Sequence, residues 1–223
     1  MTMKGLLIKD FRILGQQKKL GIIYLFVAVM LSLTMDPTFL VSYLPMIGVM
    51  LIFSTISYDD YDNGMPFLMS LPVNGKIYAA EKYILSFIAI ACCWIIGVVL
   101  QFVSLTIKKE AFGALEMVGG DILYIGVFLL VVGIMIPIEL KFGTEKGRMM
   151  IFAIFAIVMV AIVGGGKAIA FISEKTGFDL QSLVTKLQTI SPVKVGVILF
   201  AVAVAVLAVS AAISNAIMAK KEY

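Results

Sequence analysis

The sequence predicts an all-α integral membrane protein with six transmembrane helices. Hydrophobic residues make up 61% of its 223 residues and charged residues only 14%, whereas soluble domains carry about 25% charged residues. The apolar residues also occur in runs close to the roughly 20 helical residues that cross a bilayer. We therefore interpret residues 1–223 as one transmembrane domain.

The N-terminal segment, residues 1–19, is predicted to form an amphipathic helix on the inner surface of the membrane. On a helical wheel its apolar side chains share one side and Lys4, Lys9 and Arg12 the other, with Asp10 inside the apolar arc. A solvated topology signal without a docking role is the alternative interpretation.

Six apolar runs are candidate spans, at residues 20–35, 38–57, 83–107, 122–140, 149–163 and 193–219. The first and fifth are short for a full crossing. Between the first two, Asp36-Pro37 leaves room only for an antiparallel helical hairpin. Pro45 and Pro137 predict kinks in the second and fourth spans.

Lysine and arginine predict the orientation. With six crossings and a cytoplasmic N-terminus, the inner segments 1–19, 58–82, 141–148 and the C-terminal tail hold twelve Lys or Arg, and the outer segments hold six. The positive-inside rule favours this arrangement, with both termini in the cytoplasm. Residues 164–192 would lie outside and form a helical segment, since Leu180, Leu183, Val184 and Leu187 have helical spacing.

Several functional classes are disfavoured by what the spans lack. Their interiors contain no Asp, Glu, Lys or Arg, since Glu139 lies within two residues of an inner end, and the chain has no histidine. This argues against ion-coupled transport, intramembrane proteolysis and a polar-lined channel. Residues 164–168, Gly-Gly-Gly-Lys-Ala, lack the spacing and the Ser or Thr of a phosphate-binding loop. We expect no catalysis, no metal or cofactor, and no nucleic-acid partner. Any energy must come from another subunit.

The loop at residues 58–82 is the most informative segment. Asp59, Asp60 and Asp62 follow the C-terminus of the second span, where carboxylates oppose the helix macrodipole. They therefore need compensation, which a basic partner from the N-terminal helix or from another protein would supply. Alternatively, Asp62 or Asn63 would cap a short following helix. A calcium loop is the alternative, but Tyr61 and Ser70 stand where such a loop requires acids.

The rest of this loop predicts a short helix, a sharp turn and a long helix. Residues 65–71 are mostly apolar yet too few to span, and Ser70-Leu71-Pro72 ends them. Asn74 is a good N-cap for a helix that begins at Gly75 and continues into the third span. Such a shape transmits force from the cytoplasm to the bilayer.

The run Phe67 to Tyr78, FLMSLPVNGKIY, followed by Glu81-Lys82-Tyr83, resembles the SLPV region of permeases of the type-two ABC exporter family. It is most similar to permeases of bacterial phenol-soluble modulin exporters and their bacitracin-export-like relatives. The order of parts resembles that family over the whole chain. The family usually has Arg or Lys where this chain has Gly75.

This resemblance implies a transmembrane permease subunit of an ATP-driven exporter in the bacterial cell membrane. Residues 62–73 would form a coupling helix that docks into a groove on a cytosolic ABC ATPase, which binds ATP and Mg. A second permease chain, identical or not, would complete the substrate path. The expected ATPase-coupling residues are Phe67, Leu68, Leu71 and Pro72 for apolar contact, Ser70 in the turn, and Asp59, Asp60 and Asp62 for charge pairing.

The expected cargo is amphipathic or hydrophobic, such as phenol-soluble modulins or antimicrobial peptides. A path lined by apolar and small residues suits such molecules and repels ions. The alternative function is a non-transporting membrane scaffold that recruits a cytosolic partner without ATP turnover.

Overall fold

The structure, a computed structural model, describes residues 3–61, 64–71, 74–109, 113–154, 156–157 and 191–221. No strand occurs in these ranges, which confirms the all-α prediction. The helices are α1 (Met3–Gln16), α2 (Lys18–Thr34), α3 (Thr38–Asp60), α4 (Gly64–Ser70), α5 (Gly75–Lys108), α6 (Ala114–Phe142), α7 (residues 144–154) and α8 (Pro192–Lys220).

Four of the described helices, α3, α5, α6 and α8, are long and apolar enough to cross a membrane. A fifth span results if α1 and α2, which meet at a 65° bend, are counted together. The prediction of six spans is thus met only in part, because α2 alone has 17 residues and the predicted span at 149–163 extends beyond the described residues. The predicted outer segment at 164–192 lies almost wholly outside them.

The four long helices pack as two close pairs. Helices α3 and α5 are antiparallel, and a Cβ on Gly97 would lie 3.2 Å from the Leu40 carbonyl oxygen. Helices α6 and α8 are parallel, and a Cβ on Gly126 would lie 3.2 Å from the Phe200 amide nitrogen. Glycine permits both approaches because it has no side chain to separate the backbones.

Helices α2 and α3 form the predicted hairpin. Asp36 accepts a hydrogen bond from the Thr38 N–H at 2.9 Å, and hydrogen bonding to Thr38 holds the pKa of that carboxyl below its ordinary value. The Gln17 side chain donates to Ser54 Oγ at 2.6 Å, which joins the start of α2 to the far part of α3. Most apolar side chains of α2 are exposed, as a helix that faces lipid requires.

Contacts between helix ends bring four segments to one end of the bundle, which we call the inner end. The turn between α6 and α7 meets the end of α3, where Thr144 N–H donates to Asp60 Oδ2 at 2.8 Å. The end of α8 meets the end of α6, where Lys221 Nζ donates to the Leu140 carbonyl at 3.0 Å. Helix α1 joins them through Lys9 and Asp59. These are the segments that the sequence predicted to share one side.

Two helices begin earlier than the predicted spans. Helix α5 starts at Gly75 and carries Glu81 and Lys82, and α6 starts at Ala114 and carries Asp121. All three of these charged side chains are buried. The expectation that the spans lack ionisable side chains does not hold for α6, because Asp121 lies seven residues inside that helix. Glu81 and Lys82 belong to the part of α5 that precedes its predicted span. Ion-coupled transport is not excluded on that ground.

Candidate functional site

Helix α4 projects from the inner end between α3 and α5. Its Met65 and Leu68 are buried against the bundle, whereas Phe67 is 70% exposed and Leu71, just beyond it, is 36% exposed. A Cβ on Gly64 would lie 2.7 Å from the Asp59 carbonyl oxygen, so only glycine lets α4 begin this close to the end of α3. The result is a short helix held by one face and open on the other.

The turn after α4 leads into α5 as predicted. Asn74 Oδ1 accepts a hydrogen bond from the Lys76 N–H at 3.0 Å and caps the helix. A Cβ on Gly75 would meet Met218 of α8 at 3.2 Å. A side chain at position 75 would therefore press on α8.

Beneath α4 lies a group of charged side chains that we call the inner ion cluster: Lys9 and Asp10 of α1, Asp59 of α3, and Glu81 and Lys82 of α5. The Lys82 ammonium donates to the Asp10 carboxylate and lies 2.9 Å from Asp59 Oδ2 and 3.7 Å from Glu81 Oε2. Lys9 donates to Asp59 and lies 3.0 Å from Asp10. Three helices that are distant in sequence are joined by these contacts.

Two neutral groups complete the surroundings of Lys82. Tyr78 OH donates to Asp59 Oδ2 at 3.0 Å, and the Tyr78 ring centroid lies 5.1 Å from the Lys82 ammonium. Thr55 Oγ1 accepts a hydrogen bond from Lys82 at 3.3 Å. Lys82, Tyr78 and Thr55 are fully buried, so water does not replace a lost partner there.

Asp60, at the end of α3, links the inner end to α7. Its Oδ2 accepts from both the backbone N–H and the hydroxyl of Thr144, each at 2.8 Å, and so caps the start of α7. One turn further, Arg148 donates to Ser57 Oγ at 2.7 Å. Movement of the end of α3 would therefore also move α7.

The structure places six of the eight predicted coupling residues and separates them into two groups. Phe67 and Leu71 form the open surface, beside Tyr61, which is 79% exposed. Leu68 is buried and Ser70 Oγ donates to the Phe67 carbonyl. Asp59 and Asp60 are bonded within the chain. Asp62 and Pro72 lie outside the described residues.

For Asp59, the structure shows one of the two predicted sources of a basic partner, the N-terminal helix, which supplies Lys9. Asp60 bonds to Thr144 instead. Sequence reasoning missed Lys82 and Asp10, which are fully buried. The sequence contained one indication of this pair. Asp10 lies within the apolar arc of α1, and an acid in an arc that becomes buried requires a basic partner. Within the described ranges, no three His, Cys, Asp or Glu side chains are arranged to hold a metal ion.

Residues 5–219 match a protein family described as ABC-2 family transporter protein. The chain belongs to this family. The ABC-2 permeases are membrane subunits that normally work with an ATPase subunit. No curated protein and no solved structure matches this ABC-2 protein. Membership of this family indicates that the chain is a permease and a multi-pass membrane protein.

Proposed function

We propose that this ABC-2 protein is the permease subunit of an ATP-driven exporter, and that α4 is the element on which a cytosolic ABC ATPase acts. The observation that carries the proposal is the combination at the inner end: a short helix with an exposed apolar face lies next to buried ion pairs that join α1, α3 and α5. The scaffold alternative needs the exposed helix but gives no reason for the buried pairs.

The proposed contact surface consists of Phe67 and Leu71, with Pro72 and Asp62 as further contacts. Exposed aromatic and aliphatic side chains on a projecting helix fit a groove in a partner, where they anchor by burial. Asp59 and Asp60, which the sequence assigned to charge pairing with the ATPase, act in this proposal as positioning residues, since their oxygens already have partners inside the chain.

Force applied to α4 would reach the bundle in two ways. The first is direct, because the end of α3 and the start of α5 flank α4. The second is through the inner ion cluster, which makes α3 and α5 move together with α1. Helix α5 has 34 residues and is therefore about 50 Å long, against a hydrocarbon thickness of about 30 Å. Its first turns thus extend beyond the bilayer and act as a lever continuous with a membrane-crossing helix.

A second permease chain and an amphipathic or hydrophobic cargo, such as phenol-soluble modulins or antimicrobial peptides, complete the proposal. The exposed apolar surface along the described helices suits lipid, another chain or such cargo. Both termini lie in the cytoplasm of a bacterial cell in this arrangement, which places α4 where ATP is available.

The test is purification of the tagged chain from its native host, with identification of copurifying proteins and measurement of ATP hydrolysis. We expect a protein with a phosphate-binding loop to copurify with wild type and to be lost with Phe67→Asp and with Leu71→Asp, because an acid would have to be desolvated in the groove. ATP hydrolysis should fall with it.

The matched control is Ile107→Asp, the same kind of change at an exposed site at the other end of α5. It should retain the partner and its ATP hydrolysis. Recovery of no nucleotide-binding partner with wild type would leave the scaffold alternative. Retention of the ATPase by both α4 variants would contradict the assignment of α4.

A further inference from the structure

A large apolar groove lies beside the coupling site, between α3, α6 and α7. Its volume is about 970 Å³, and its walls include Met46, Phe53, Val131 and Phe152. This volume is at the upper end of the roughly 300–1,000 Å³ typical of small-molecule sites. It is open rather than enclosed, since Phe152 is 72% exposed. It follows α3 from its middle to its inner end.

One carboxyl group faces this apolar space. Glu139 of α6 lines the groove and is only 2% exposed, and neither of its carboxyl oxygens has a hydrogen-bond partner in the described part of the chain. Gly147 of α7 packs on it from behind, where a Cβ would lie 3.2 Å from Glu139 Cα and Cγ. An unpaired carboxylate in apolar surroundings costs free energy, which a bound cation would recover.

The cation among the groove's lining residues makes no hydrogen bond to Glu139. Arg148 also lines the groove, but its guanidinium is exposed and donates to Ser57 Oγ at 2.7 Å rather than to Glu139. Within the groove, therefore, one buried acid stands at the inner end of an otherwise apolar space, with one exposed cation at the rim.

We propose that this groove binds an amphipathic cation, a molecule with an apolar body and one amine group, whose ammonium pairs with Glu139 while its body lies along α3. This site lies within a single chain, and so differs from a path between two chains. Its role as a cargo site rests on the proposed exporter function, but binding does not require the ATPase.

The experiment measures binding of tritiated dodecylammonium and dodecanol to the full chain in phosphatidylcholine nanodiscs, with empty nanodiscs subtracted. Wild type should bind dodecylammonium saturably and at least about tenfold more tightly than dodecanol, because only the ammonium pairs with the buried acid. Glu139→Gln should weaken dodecylammonium binding at least about tenfold and leave dodecanol within about twofold.

Three further variants make the test specific. Glu145→Gln, which removes an exposed acid of α7, should leave binding within about twofold. Arg148→Gln should tighten dodecylammonium binding about two- to threefold, because a like charge is removed from the rim. Val131→Phe should weaken both probes, since it fills the groove and leaves Glu139 in place. Size-exclusion profiles check that each variant is folded.

Equal affinity of wild type and Glu139→Gln for dodecylammonium would overturn the proposal. So would equal affinity of wild type for the two probes, or binding unaffected by Val131→Phe, which would place the probe elsewhere. Because no ATPase is present, these negative results leave the exporter test above untouched, and failure of that test leaves the binding result untouched.

Discussion

At the scale of single residues, Lys82 joins α1, α3 and α5 at the inner end. Its ammonium is fully buried and faces the carboxylates of Asp10, Asp59 and Glu81. A buried charge pair is not in itself a source of great stability, but removing one partner leaves the others uncompensated in an environment without water. The identity of this residue is thus constrained more strongly than that of any exposed lysine.

We expect Lys82→Met to lower the free energy of unfolding by about 3–5 kcal/mol, because buried acids lose their counter-charge. Lys76→Met, at an exposed position on the same helix, should cost less than about 0.5 kcal/mol. Denaturant titration of the purified chain in mixed micelles measures both. Equal costs for the two variants would show that the cluster does not stabilise the fold.

The double variant Asp10→Asn with Lys82→Met checks that the effect belongs to the pair. The double variant should lower the free energy of unfolding by less than the sum of the two single variants. Each single change leaves the partner's charge buried and unpaired, and the second change removes that charge. Additive costs would contradict a direct interaction and would assign the loss to packing.

Helix packing depends on glycines that allow backbones to approach. The pairs α3/α5 and α6/α8 each meet at such a position, and the contact is made without a hydrophobic driving force, because lipid is as apolar as the helices. Hydrogen bonds between helices also stabilise this packing. One example is the Ser210 hydroxyl of α8, which donates to the Gly133 carbonyl of α6.

We expect Gly126→Leu to separate α6 from α8 and to cost about 1–3 kcal/mol of unfolding free energy, as overpacking does. The control is Gly21→Leu in α2, where nothing lies within 4 Å of an added Cβ. It should be neutral or slightly stabilising, because leucine is a better helix former than glycine. A cost for Gly126→Leu no greater than for the control would show that the close approach is unimportant.

The molecule as a whole has two ends of different character. The inner end gathers α1, α4, the ion cluster and the end of α8, whereas the other end carries Lys108, whose ammonium donates to the Met35 carbonyl at 2.8 Å. Since α5 connects the two ends, its first residue and its last lie on opposite sides of the membrane in the proposed topology.

Cysteine labelling in intact cells tests that orientation. With Cys92 and Cys93 replaced by alanine, Lys108→Cys should react with a membrane-impermeant maleimide from outside. Lys76→Cys should react only after permeabilisation, because the proposed topology puts α4 and the start of α5 on the cytoplasmic side. Labelling of Lys76→Cys in intact cells would place the coupling helix on the wrong side for an ATPase.

Prediction from the sequence succeeded where the signal was local. The all-α class follows from apolar runs, the Asn74 cap from its position before Gly75, and the turn at Asp36 from its proline, and the structure confirms each of these. The start of α6 was predicted less well, since this helix begins at Ala114, before the apolar run that starts at residue 122. Polar first turns belong to a helix as readily as to a loop when tertiary partners bury them.

The sequence by itself determined the class of protein, the position of α4 and the acids that need compensation, because composition and short-range spacing carry that information. Only the tertiary structure decided which cations compensate them, and that Glu139 faces an apolar groove without a partner. The physical reason is the distance along the chain, since Lys82 and Asp10 are 72 residues apart. A local sequence pattern cannot predict which buried charges meet when three helices pack together.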